Sequence, residues 1–205
     1  ITDALEADKV AGGGVFVHFD NISGKKAEVY VDTEVHNSGK RTRTVAVETV
    51  LADAGDVPVK RVSQQVKLQA GESKTVRQRF AVRNPKLWSP DSPYLYRIQS
   101  RVKAGHEVLD GGVTRVGIRK AEFKGKDGFW LNGKPFGQLV GANRHQDFAY
   151  VGNALPNSQQ WRDAKRLRDA GCTIIRVAHY PQDPAFMDAC DEMGLFVIVA
   201  TPGWQ

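Results

Sequence analysis

The hydrophobic period of this chain changes near Lys120, and no single sheet or helical bundle accommodates both halves. Before that point the pattern is period two. In "AEVYVDTEVHN" the residues Ala27, Val29, Val31 and Val35 alternate with Glu28, Tyr30, Asp32, Glu34 and His36, which sends one face to a core and the other to water. The runs "TVAVETVLAD", "VSQQVKLQA", "KTVRQRFAV", "YLYRIQSRV" and "GVTRVGIRKAEF" follow, parted by the turn clusters "NSGK", "AGD", "AGES", "SPDSP" and "KAGHE". Roughly six or seven short strands at that spacing predict an immunoglobulin-like β-sandwich over residues 1–120. Both cysteines lie outside it, so its core needs no disulfide and rests on Val, Leu, Phe80 and Trp88.

After Lys120 the texture is that of a covered parallel sheet. "DGFWLNGKPF" predicts a hairpin turned at Asn132-Gly133, the type I′ dipeptide. "QLVGANRHQD" then reads as an apolar strand with a polar end. In "NSQQWRDAKRLRDAG" either Asn157 or Ser158 serves as N-cap, Trp161, Ala164, Leu167 and Ala170 form an apolar stripe, and Gly171 is the C-cap. "CTIIRVAHY" is a second strand. Its helix starts with Asp183 as N-cap and Pro184 in the first turn, buries Phe186, Met187 and Cys190, and stops at Gly194. "LFVIVATPG" completes a β-α-β-α-β order over residues 121–205.

Each of these strands ends in residues that no core requires: Asn143-Arg144-His145-Gln146-Asp147, then His179-Tyr180, then Thr201-Pro202-Gly203-Trp204. Parallel α/β sheets carry their chemistry at that end. Strand parity puts Ile175 and Val177 against helices and leaves Ile174, Arg176 and Ala178 on the opposite, inner face. A buried arginine there requires a carboxylate partner, because an unpaired charge costs about several kcal/mol. His18, His36 and His106 fall near loops or polar faces of the first half and read as surface residues; Asp147, Tyr180 and Asp183 read as structural.

Composition narrows the function classes. At 41% hydrophobic and 25% charged the chain is a globular one, and its charge of +6 is scattered among acids such as Asp53, Glu72 and Asp169 rather than drawn into a basic stripe, which argues against nucleic acid. No apolar run approaches the ~20 residues that span a bilayer, and "ITDALEADKV" has no signal-peptide pattern, which leaves periplasmic, secreted and cytoplasmic locations open. Cys172 and Cys190 sit beside apolar residues as free thiols, with neither metal-ligand nor disulfide spacing.

The blocks "LWSPDSPYLYRI", "TRVGIRKAEF", "FWLNGKPFGQLVGANRHQD" and "IIRVAHYPQDPAFMDACDEMGLFVI" resemble glycoside hydrolase family 2, which includes β-galactosidases, β-glucuronidases and β-mannosidases. The resemblance implies an enzyme in which a sugar-binding jelly roll precedes the sandwich and a (β/α)8 barrel follows it. A barrel takes about 250 residues, so this chain is expected to be a fragment holding the sandwich and only the first βαβαβ part of the barrel. The parent is then a retaining β-glycosidase, by its overall look a β-galactosidase, with β-glucuronide or β-mannoside as alternative substrates. Its two catalytic glutamates are expected beyond Gln205, so no catalytic residue, cofactor or metal is assigned within the chain. The expected partners are a β-linked glycoside and the remaining domains of the parent.

The resemblance also implies site residues. Arg176 matches an arginine near the nucleophile that helps keep it ionised, and His179 matches the histidine of the "HYP" block that hydrogen-bonds the sugar. His145 matches a second histidine of that pocket, with Asn143 and Arg144 as adjacent supports. Two departures stand out: Gln146 replaces the acid of the usual "NRHED", and "VIVATPGWQ" replaces an acid-rich block that supplies a metal ligand in some relatives. Trp204 either walls the sugar pocket or packs in the core. A different class of function is a non-catalytic structural or carbohydrate-contacting module. As an unclosed barrel with a free strand edge, the fragment is also expected to self-associate.

Overall fold

A computed structural model describes residues 14–200, which divide into two compact units. One takes in the chain up to Lys86 together with Leu95–Ile118; the other takes in Leu87–Tyr94 and the chain from Arg119 onward.

In the first unit the period-two runs become seven strands: β1 (Val15–Asp20), β2 (Lys26–His36), β3 (Arg43–Ala52), β4 (Pro58–Leu68), β5 (Ser73–Arg83), β6 (Tyr96–Ala104) and β7 (Glu107–Val116). They pair antiparallel in two sheets, β1-β2-β5 and β4-β3-β6-β7. The inward residues of both sheets share one core, in which Val35 and Val76 of the first meet Val45, Val47, Leu68 and Val102 of the second. One polar bridge crosses it. The Gln78 amide on β5 accepts from Thr49 Oγ1 at 2.5 Å and donates to the Val47 carbonyl at 2.9 Å, so both ends of a buried side chain are satisfied.

The outer face of β1-β2-β5 carries charge. Glu28 accepts from Lys26, Asn21 and Arg79, and these donors hold its carboxyl at about 2, well below its ordinary 4.5. A carboxyl whose folded value is depressed stabilises the fold above its unfolded value, and that stabilisation is lost as pH falls from 4.5 through about 2. Glu28→Gln is therefore expected to be less stable than wild type at neutral pH, the two converging as the pH drops through this window. Denaturant midpoints taken from pH 6 downward check it, and a constant offset would count against the assignment.

The second unit begins with a small antiparallel sheet of β8 (Ala121–Phe123), β9 (Phe129–Leu131) and β10 (Lys134–Pro135). Asn132 and Gly133, both at positive φ, turn the β9-β10 hairpin, as the Asn-Gly dipeptide predicts. The expected single run "GVTRVGIRKAEF" is instead broken: β7 ends at Val116, and Ala121–Phe123 pairs with β9 in the other unit.

Next come β11 (Gly141–Arg144), α1 (Asn157–Asp169), β12 (Ile174–Val177), α2 (Pro184–Met193) and β13 (Phe196–Val199). The three strands are parallel in the order β11-β12-β13. Ile175 and Val177 are fully buried with Ala164 of α1 and Phe186, Ala189 and Cys190 of α2, the helix-covered face that strand parity predicts. Burial also pushes the Cys190 thiol up to about 12. Both cysteines are free.

Three local expectations are corrected. The N-cap of α1 is Pro156, with no side-chain cap, and Asn157 is already helical; Ala170 is the C-cap and is exposed, with Gly171 at φ 86° just beyond it. Trp88 is not a sandwich residue. Its indole donates to the Asp191 carbonyl on α2 at 2.8 Å and meets Phe196 edge-on at 5.3 Å, while its own carbonyl accepts from Asn132, so it belongs to the core of the second unit. The segment Leu87–Tyr94 is thereby packed against α2. Gly194, the αL C-cap of that helix, needs φ 74° and leaves no room for a Cβ beside the Pro90 carbonyl.

Candidate active site

Parallel register sets the row of the site. Asn143 on β11 lies beside Arg176 on β12, which lies beside Ile198 on β13, all on the face away from the helices. Arg176 is half-buried, and its Nη2 lies 3.2 Å from Nδ1 of His179, just past the strand end. A guanidinium only donates, so this contact makes Nδ1 the acceptor and assigns the ring proton to Nε2, which is then a donor. The His145 ring stands edge-on to His179 with centroids 5.2 Å apart. Of the residues the sequence singles out, Arg176, His179 and His145 are thus brought together, Asn143 flanks Arg176, and Trp204 lies outside the described residues.

Arg144 goes elsewhere. It pairs in register with Val177, so its side chain leaves the strand on the helix-covered face, where the residue is only 7% exposed. There it donates to Gln182 at 2.6 Å and to Gln160 and Asp163 at 2.8 Å each, with its guanidinium 4.0 Å over the Phe186 ring. Grouping it with sugar-contacting residues is corrected: it ties strand β11 to α1 and α2 from behind. Sequence reasoning missed this network. The available signal was Gln160, which stands four residues before Ala164 and seven before Leu167, on the buried stripe of α1.

The polar strand-end residues are fixed by one another. Gln146 donates its backbone N–H to Tyr180 Oη at 3.3 Å, accepts at Oε1 from the Asp183 N–H at 2.7 Å, and donates from Nε2 to the Asn153 carbonyl at 3.3 Å. With its amide turned so that nitrogen faces the acceptors, Asn153 donates to Asp147 Oδ1 and the Gln146 carbonyl. Asp183 caps α2 by accepting from Ala185 N at 2.8 Å, as its position before Pro184 predicts. Among the described residues no group of three or more His, Cys, Asp or Glu is placed to hold a metal ion. What the site offers chemically is a fixed cation and imidazole donors on an open rim, suited to polyhydroxy ligands and to a carboxylate.

Residues 14–119 match the family described as glycosyl hydrolases family 2, and residues 122–204 match the TIM barrel domain of the same family. A β-galactosidase of Thermoanaerobacter pseudethanolicus is 36% identical over 93% of this chain, which spans 25% of that protein. A solved family 2 glycosyl hydrolase from Bacteroides cellulosilyticus superposes with a TM-score of 0.87 at 34% identity, over 92% of this chain and 26% of that one. The β-glucuronidase of Bacteroides uniformis gives 0.85 at 30% identity, over 90% and 22%. The chain therefore spans about a quarter of the length of these relatives. Its two halves are an immunoglobulin-like sandwich and the start of a TIM barrel.

Proposed function

This chain belongs to glycosyl hydrolase family 2, and from that premise we propose that the full-length protein is a retaining β-glycosidase, by preference a β-galactosidase. The observation that carries this is the convergence of Arg176, His179 and His145 at the C-terminal ends of parallel barrel strands. His179 Nε2 and His145 hydrogen-bond hydroxyls of the sugar in the first subsite, and Asn143 supports Arg176. Retention needs two carboxyl groups about 5–5.5 Å apart, one a nucleophile and one an acid/base. Both are glutamates beyond Gln205, and the Arg176 cation holds the nucleophile ionised. The 205 residues alone accordingly do not turn over.

The preference for galactoside is supported by the β-galactosidase of T. pseudethanolicus, matched over nearly the whole chain. A β-glucuronidase is the second reading, favoured by the B. uniformis structure. Purified full-length protein assayed on p-nitrophenyl β-galactoside, β-glucuronide and β-mannoside decides between them. Fastest turnover of the galactoside is expected; preference for the glucuronide would replace the sugar, and no turnover of any would sink the glycosidase assignment.

A further inference from the structure

His145 and His179 stand just past the ends of two different strands, β11 and β12, and each is bracketed by residues that bond to the other's neighbours. On one side of the pair the Arg144 carbonyl accepts from Ala178 N at 2.9 Å; on the other, Gln146 N donates to Tyr180 Oη. Two glutamine side chains close the bracket. Gln182, 8% exposed, accepts from Arg144 Nη1 at 2.6 Å and donates to the Arg144 carbonyl at 2.6 Å. Gln146 Oε1 accepts from the N–H of Asp183, the N-cap of α2.

We propose that Gln146 and Gln182 are positioning residues that latch the end of β11 to the β12-α2 loop and so hold the imidazoles of His145 and His179 at the separation that one sugar ring engages. The amide is the fitting chemistry at 182, because that side chain faces a donor and an acceptor of the same residue, and an amide answers both at that reach where a carboxylate only accepts. At 146 the requirement is narrower: the second contact, from Nε2 to the exposed Asn153 carbonyl, is long at 3.3 Å and open to solvent, so the Asp183 N–H is the partner that must be met, and a carboxylate supplies its acceptor as well as an amide does. The two positions therefore differ in what they tolerate. The inference deepens the site proposed above and rests on it.

The test is a variant series in the full-length protein, read as kcat and KM on p-nitrophenyl β-galactoside. Gln146→Met is expected to lower kcat/KM about tenfold, the effect chiefly of losing the bond from the Asp183 N–H, and Gln146→Glu to restore it to within about twofold. Gln182→Met and Gln182→Glu are both expected to be impaired. Since these residues act through the histidines, Gln146→Met should add almost nothing in a His145→Ala/His179→Ala background. A Gln146→Met enzyme equal to wild type, a Gln146→Glu enzyme as poor as Gln146→Met, or full additivity with the histidine changes would each overturn the latch. Should wild type hydrolyse no glycoside, the functional assignment fails by itself, and amide hydrogen exchange at Asp183 decides the latch: faster in Gln146→Met but not in Gln146→Glu upholds it, and unchanged exchange in Gln146→Met overturns it.

Discussion

In the full-length protein, His179→Ala and Arg176→Ala are each expected to lower kcat/KM on the preferred β-glycoside by about 100-fold or more, the range seen when a donor aimed at developing transition-state charge is removed, while His36→Ala leaves it unchanged. The two residues act as a pair. Arg176 Nη2 lies 3.2 Å from His179 Nδ1, so losing the arginine releases the tautomer that points the Nε2 proton toward substrate, and losing the histidine removes the donor itself. Arg176→Ala should also raise the lower limb of the kcat/KM pH profile, because a nucleophilic carboxylate beside a cation titrates at lower pH than one without it. Hydrogen bonds to sugar hydroxyls strengthen in the oxocarbenium-like transition state, so the loss should fall on kcat at least as much as on KM. His36 lies on β2 of the sandwich with its Nδ1 2.8 Å from Ser73 Oγ, and is the control. Equal losses at His36 and His179 would dissolve the site assignment.

How much of this was legible in the sequence depends on range. Alternation in "AEVYVDTEVHN" identifies β2 because the period of a half-buried strand is local, and the same holds for Asn132-Gly133 and for Asp183-Pro184, where two adjacent residues specify a turn and a cap. Parity along "IIRVAHY" suffices to put Ile175 and Val177 under the helices and Arg176 on the other face. Trp88 shows where such reasoning stops. A tryptophan in a loop between β5 and β6, after five of the seven sandwich strands, has no period of its own, and its partners Asp191 and Phe196 lie about a hundred residues away, so adjacency assigned it to the wrong unit. The network around Arg144 was hidden for a related reason: Gln160, Asp163 and Gln182 are ordinary surface residues by type, and only the crossing of two helices over one strand buries their polar atoms together.

That network supports the largest expected loss of stability in the chain. Arg144→Ala should lower the unfolding free energy by about 3–5 kcal/mol, the usual consequence of removing one partner of a buried charge pair. The side chain is 7% exposed, and its nitrogen Nη2 lies 2.8 Å from the Asp163 carboxylate. Without it the Asp163 carboxylate keeps, among the described residues, the Gln159 amide at 2.8 Å, and the side-chain oxygens of Gln160 and Gln182 lose their guanidinium donor. Arg144→Lys is no remedy, since one ammonium cannot address three acceptors arranged around a planar fork, and it forfeits the flat packing on Phe186. Arg144→Met keeps some of the stem packing yet leaves the same acceptors stranded, so it should stay closer to alanine than to wild type. Urea unfolding at constant slope reads the series. If charge pairing dominates, Asp163→Asn should weaken the effect of Arg144→Ala by about 1 kcal/mol or more; strict additivity would mean that the arginine is held by packing, and an Arg144→Lys chain as stable as wild type would mean that neither the planar fork nor the packing on Phe186 is required.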